Sequence, residues 1–230
     1  MPLPHPRLHV PAAAFTRLSR DTRAHPLLQA ASAHVAARAD EFLDSPVVPY
    51  DETAHNAHLI RARGMQYRVV TLIVRFFQTG DDKYKAAALE HIREMDRWEY
   101  WSWLAWRRND PRPDFEFDLS YGENSLTLAW AYDWLHDSLT AEERRLICDI
   151  SLRRALKPFL AVTDLTQHEK RPSWFGRPDS NWNTVCAGGA GTLALALQDE
   201  LPVTSEADAV IALAEESFIP FMDFLRDNHG

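Results

Sequence analysis

The chain lacks the residues that would make it a disulfide-stapled, thiolate-metal or nucleic-acid-coating protein. It has two cysteines, Cys148 and Cys186, in 230 residues, too few for a disulfide framework or a four-ligand zinc site. Basic charge is in deficit: 25 Lys and Arg stand against 33 Asp and Glu, a net charge of −8. A general phosphate-coating face is thereby excluded, and no nucleic-acid partner is expected. No run approaches about 18 apolar residues, so no membrane-spanning helix is expected. The opening Met1-Pro2-Leu3-Pro4-His5-Pro6 lacks the basic region and apolar stretch of a secretory signal. A cytoplasmic protein is expected, or a periplasmic one if the true start lies upstream. A Walker loop, a dinucleotide fingerprint and a serine nucleophile elbow are all missing, and no cofactor is expected. Glycine is scarce (8 residues), and the 14 prolines gather mostly between periodic segments, a punctuation that favours long helices over strand hairpins.

What the chain does have is apolar periodicity. With 46% apolar side chains it can bury a core in one domain or at most two. Periodicity predicts helices over 26–43, 58–78, 83–106, 124–136, 144–162, 181–197 and 206–226. The run Val69-Val70-Thr71-Leu72-Ile73-Val74 has strand-like residues, but about 20 residues without a turn signal are too many for a strand. It predicts a helix buried nearly all round. Thr79-Gly80-Asp81-Asp82 has a stop glycine followed by an N-cap aspartate. Ser120 to Glu123 and Thr140 to Glu143 have capping-box spacing. Ser180 can cap the helix after it, and Pro158 and Pro220 predict kinks. Pairing 26–43 with 58–78, 83–106 with 123–136 and 141–162 with 181–197 leaves 206–226 unpartnered. The expected fold is all-α, an incomplete α/α toroid of antiparallel helical hairpins over residues 1–230.

Six of the eight tryptophans lie between Trp98 and Trp134. Indole faces match the apolar faces of sugar rings, so Trp101 and Trp103, with Trp106 beside them near a long loop, read as a sugar-stacking wall; the same residues also fit a core. Arg171-Pro172-Ser173-Trp174-Phe175-Gly176-Arg177-Pro178-Asp179-Ser180-Asn181-Trp182-Asn183 is a polar, aromatic loop feeding an Ala- and Gly-rich helix. Asn181, Asn183 and the helix-end N–H groups would gather donors for a carboxylate, or merely cap the helix. His55 and His58 have a metal-compatible spacing without a third ligand, Glu123 suits a capping box, and Asp114, Glu116 and Asp118 include possible hydrolase acids.

These residues carry a resemblance. His5-Pro6-Arg7-Leu8, His25-Pro26-Leu27-Leu28 and Thr79-Gly80-Asp81 with Tyr84 resemble the opening of heparinase II/III-like and oligo-alginate lyase proteins. Tyr121-Gly122-Glu123, then Ala129-Trp130-Ala131-Tyr132-Asp133-Trp134-Leu135 and Leu139 to Glu143, and finally Asn181-Trp182-Asn183 with Val185, Cys186, Gly189 and Gly191, are similar to later stretches of that family. The resemblance implies an N-terminal α/α toroid, a following β-sandwich domain, and β-elimination on uronate-containing glycans. It carries carboxylate neutralisation to Asn181, with Asn183 adjacent, and leaves proton transfer to a Tyr or His. Trp182 and Asn183 depart from the family's usual Asn-His. The expected partner is an acidic polysaccharide or oligosaccharide, contacted by Trp101, Trp103, Tyr121, Arg171, Trp174, Arg177 and Trp182. Arg61, Arg63, Arg68 and Lys170 are further basic sources. The family's toroid Tyr is expected past residue 230, so this chain reads as an N-terminal part, inactive alone. The alternatives are an α/α-toroid glycoside hydrolase using Asp118 or Asp179, and a non-enzymatic helical-hairpin scaffold.

Overall fold

The computed structural model describes residues 3–103, 116–200 and 202–229, with the side chains of 19, 22–24 and 229 excepted. The described elements are helical: α1 (Ala12–Ala24), α2 (Pro26–Phe42), α3 (Ala57–Thr79), α4 (Asp82–Arg97), α5 (Leu119–Leu135), α6 (Ala141–Ser151), α7 (Lys157–Thr163), α8 (Asn181–Leu197) and α9 (Thr204–His229). A π-turn, Leu152–Leu156, joins α6 to α7. No strand is found among the described residues.

Several boundaries fall where local chemistry puts them. Gly80 ends α3 with φ +70°, its N–H donating to Phe76 O, and Asp81 caps α4 through Lys83 N. Thr140 and Glu143 form a reciprocal capping box at α6. Others differ from the expectation. Helix α5 starts at Leu119, capped by Asp118 rather than by Ser120. Ser180 is in the N-cap position of α8 without a side-chain cap bond. Helix α4 ends at Arg97, and α1, preceded by Pro11, was not foreseen. Before Pro158 the chain widens into the π-turn, which relieves the clash between the proline ring and the preceding turn. Helix α9 runs through Pro220.

Packing resolves into a central row of parallel helices, α3, α5 and α8. Near their N-terminal ends, Arg63 of α3 pairs with Glu123 of α5 at 2.9 Å, and Gly122 of α5 meets Val185 and Gly189 of α8. At the other ends Phe15 of α1 bridges Phe77 and Trp134, at centroid distances of 4.3 and 5.6 Å, and His136 lies 3.5 Å from Glu200. The remaining long helices run antiparallel to the row. Contacts Gln78–Ser32 and Phe42–Tyr67 place α2 beside α3, and Arg75–Tyr84 with Arg61–Tyr100 does the same for α4. Contacts Gln198–Asp208 and Asn183–Ser217 seat α9 against α8. Three expected pairings are therefore corrected: α4 lies mainly on α3 rather than α5, α8 lies on α5 and α9 rather than on the 141–162 segment, and the last helix has α8 as partner. Only a stripe of α5 escapes burial, at Leu119, Glu123, Leu126, Trp130 and Trp134. The whole is an all-α array whose central helices point their N-terminal ends the same way.

Candidate functional site

The loops 98–103, 116–118 and 164–180 gather at the N-terminal end of the central row. A helix N-terminus carries unpaired N–H groups and a partial positive charge, so three at one end set a local field opposed to the net charge of −8. Between the end of α7 and the starts of α5 and α8 lies a cavity of about 570 Å³. Phe117, Val162, Trp174 and Trp182 form its apolar side, and His168, Lys170, Arg171 and Glu116 its polar side.

The apolar side is rigid. Trp174 is buried, its Nε1 donates to Phe117 O at 3.1 Å, and its ring packs with Phe117 and Phe159. Gly176, at φ +71°, turns the loop in a conformation that favours glycine. Its N–H donates to Asn183 Oδ1 at 3.0 Å, while Asn183 Nδ2 donates to Ser217 O of α9 at 3.0 Å. Asn183 is buried and fully engaged at both ends of its amide; it holds the loop rather than a substrate, which corrects its expected catalytic place. Arg171 reaches the cavity while paired with Glu216 and lying 4.4 Å over the Phe175 ring.

Behind this wall, Asp118 accepts from Trp103 N at 2.8 Å and Ser120 N at 2.9 Å. Burial pushes its carboxyl up to about 6, partly offset by these N–H donors.

The other expected residues scatter. Asn181 is exposed in the first turn of α8, beside Trp182 but outside the residues lining the cavity. Trp101 is buried, donates to Met95 O and packs on Tyr121, itself buried. Neither has a face for a sugar, so the stacking role expected of Trp101 and the glycan contact expected of Tyr121 are replaced by core roles. Trp103 is half-buried against His55, ring centroids 4.9 Å apart. Arg177 is held by Asp179 through two bonds of 2.8 and 2.7 Å on the surface. Arg61 lies between the Tyr50 and Trp98 rings, 4.0 Å from each, and burial lowers its pKa to about 10; it belongs to the core. Arg68 covers Phe42 and bonds Ser45 O. His58 faces the Tyr50 hydroxyl and His55 faces Trp103, so these two form no metal pair. Glu123 pairs with Arg63 instead of closing a capping box. Trp106 and Asp114 lie outside the described residues. His168 was not singled out in the sequence: the polar run before Pro172 shows charge, but not which wall it lines. No family model and no curated protein matches the chain.

Proposed function

We propose that the chain is the helical part of a lyase that binds an acidic, uronate-containing oligosaccharide in the cavity at the N-terminal end of α5 and α8. The α/α toroid is the architecture that goes with this reading: the parallel central row would form an arc of its inner wall. The observation that carries the reading is that an indole, Trp182, and two cations, Lys170 and Arg171, line one 570 Å³ cavity. An indole face takes the apolar face of a sugar ring, and a guanidinium takes its carboxylate bidentately.

β-Elimination needs the uronate carboxylate neutralised, so that the adjacent C–H becomes acidic enough to lose its proton. Lys170, Arg171 and the α8 N-terminus supply that charge, with Asn181 meeting the part of the glycan that overhangs the rim. The proton passes to a base, for which His168 is the imidazole on the cavity wall. The released electron pair forms the ring double bond, and the bond to the glycosidic oxygen breaks as that oxygen takes up a proton. The hydrolase reading is disfavoured because Asp118 is buried as a helix cap and Asp179 is tied to Arg177.

Titration of the full chain with oligouronides, followed by tryptophan fluorescence and calorimetry, tests this. Saturable binding that falls more than about tenfold in Arg171→Ala and Trp182→Ala supports it; equal affinity for neutral oligosaccharides of the same length overturns it. Appearance of the ultraviolet-absorbing unsaturated product, abolished by His168→Ala, would extend binding to turnover.

A second reading, an interaction scaffold, is favoured by the apolar groove of about 650 Å³ between α8 and α9, which includes Leu195, Ile211, Phe218, Ile219 and Met222. Exposed apolar patches of this kind mark contact surfaces.

A further inference from the structure

At the opposite end of the array, the segment 3–10 lies across the C-terminal ends of α5 and α8. The Asp133 carboxylate, sealed from solvent, accepts from His5 Nδ1 at 2.7 Å and from the N–H groups of Arg7 and Leu8 at 2.8 and 3.0 Å. The carboxylate therefore holds the His5 proton on Nδ1 and leaves the lone pair on Nε2, the arrangement that metal-bound histidines use.

His5 stacks on His136 with centroids 4.1 Å apart and planes 17° apart, and His136 Nε2 is 3.5 Å from Glu200 Oε1. One nitrogen from each imidazole and one Glu200 oxygen lie within 4.8 Å of one another. The Tyr132 ring stands edge-on to both imidazoles, and its fully buried hydroxyl has no hydrogen-bond partner. A buried hydroxyl without a partner is costly, and a Glu200 drawn in by a cation would supply its acceptor.

We propose that His5, His136 and Glu200 form a site for one divalent cation of the zinc class, with Asp133 orienting His5 from behind. Two imidazoles and a carboxylate, with water in the fourth position, are a familiar zinc donor set. The surroundings favour a cation. Carbonyl ends of two helices converge there, and Asp133, Asp137, Asp199 and Glu200 face the basic side chains Arg7 and Arg144. Arg7 is the competitor: its Nη2 donates to His5 Nε2 at 2.5 Å and its Nη1 to Asp199 at 2.7 Å. On cation entry Arg7 gives up the imidazole and keeps Asp199, and the stacked rings turn until their lone pairs converge. The cation would then staple the N-terminal segment to the ends of α5 and α8, independently of any glycan bound at the other end.

The test is calorimetric titration of the chelator-stripped full chain with zinc chloride, with cobalt(II) as a visible-absorption probe of the ligand field. The expected result is one equivalent bound, a rise in melting temperature, and affinity lowered more than about tenfold in both H136Q and E200Q. Both side chains are partly exposed, at 24 and 27%, so circular dichroism should report an unchanged fold. Absence of saturable zinc binding by the wild-type chain overturns the proposal, and so does undiminished binding in either variant.

Discussion

Asp118 is the most informative single side chain because two demands meet on it. It must accept the N–H groups of Trp103 and Ser120 to start α5, yet it does so without water, which raises its pKa to about 6. The folded state therefore holds a proton that the unfolded chain, titrating near 3.8, has already lost. Its stabilising contribution is fully present below that lower value and is lost as pH rises through about 6. The difference is on the order of 3 kcal/mol. Denaturant melts of wild type and Asp118→Asn across this window should show the wild-type stability falling relative to the variant. Parallel curves would mean that the carboxyl titrates normally. Asn183 gives a prediction of a different kind. Asn183→Ala leaves the Gly176 N–H and the Ser217 carbonyl unpaired, which costs about 1–3 kcal/mol for each buried group. Chemical denaturation should show that loss, and glycan affinity should fall with loop order rather than with charge. Asn183→Asp separates the two, since its oxygen still accepts from Gly176 while the donor to Ser217 is gone.

At the scale of elements, the α5–α8 contact depends on the lack of side chains at two positions. A Cβ on Gly122 would overlap the carbonyl oxygen of Val185, and one on Gly189 would overlap the carbonyl oxygen of Gly122. Neither obstacle is a side chain that can rotate away, so the helices must separate. Gly122→Ala and Gly189→Ala should each destabilise at the upper end of ~1–3 kcal/mol. Gly188 is the control on the same helix, where the nearest atom to an added Cβ is Phe218 Cζ at 3.7 Å. Gly188→Ala should be neutral or stabilise by up to about 1 kcal/mol through helix propensity. Thermal melts of the three variants give the comparison directly. The Ala- and Gly-rich run of α8 made this close approach legible in the sequence, as Gly80-Asp81 and Thr140 to Glu143 made the ends of α3 and the start of α6 legible: each signal is local. What was not legible is non-local. Ser120 and Asp118 are both plausible caps two residues apart, and only burial of the Asp118 carboxylate by Trp103 decides between them. The partners of α4 and α9 depend on which apolar stripe meets which, and several helices carry more than one. The tryptophan cluster misled for the same reason, since Trp101 has the composition of a binding residue but Arg154 and Tyr121 cover it.

At the scale of the whole molecule, the parallel central row makes the two ends electrostatically unlike. N–H groups and the Lys170–Arg171 pair face one end; carbonyls with Asp133, Asp137, Asp199 and Glu200 face the other. On the proposed reading, an acidic chain of net charge −8 would attract an anion at one pole and hold a cation at the other. Within the positive pole, Arg171 is only half available, because Glu216 of α9 already pairs with it. Removing that competitor should release the guanidinium toward the cavity. Glu216→Gln is expected to tighten an acidic oligosaccharide several-fold, on the scale of a partly exposed ion pair, ~0.2–1 kcal/mol. The gain should shrink as salt rises from about 0.01 to 0.15 M, where the screening length falls from roughly 30 to 8 Å. In an Arg171→Ala background the same substitution should do nothing beyond the removal of one negative charge, so calorimetry on the four variants of the double-mutant cycle isolates the coupling. A Glu216→Gln gain that persists without Arg171 would mean the α9 carboxylate acts through the general field of the pole, and that Arg171 does not grip the ligand.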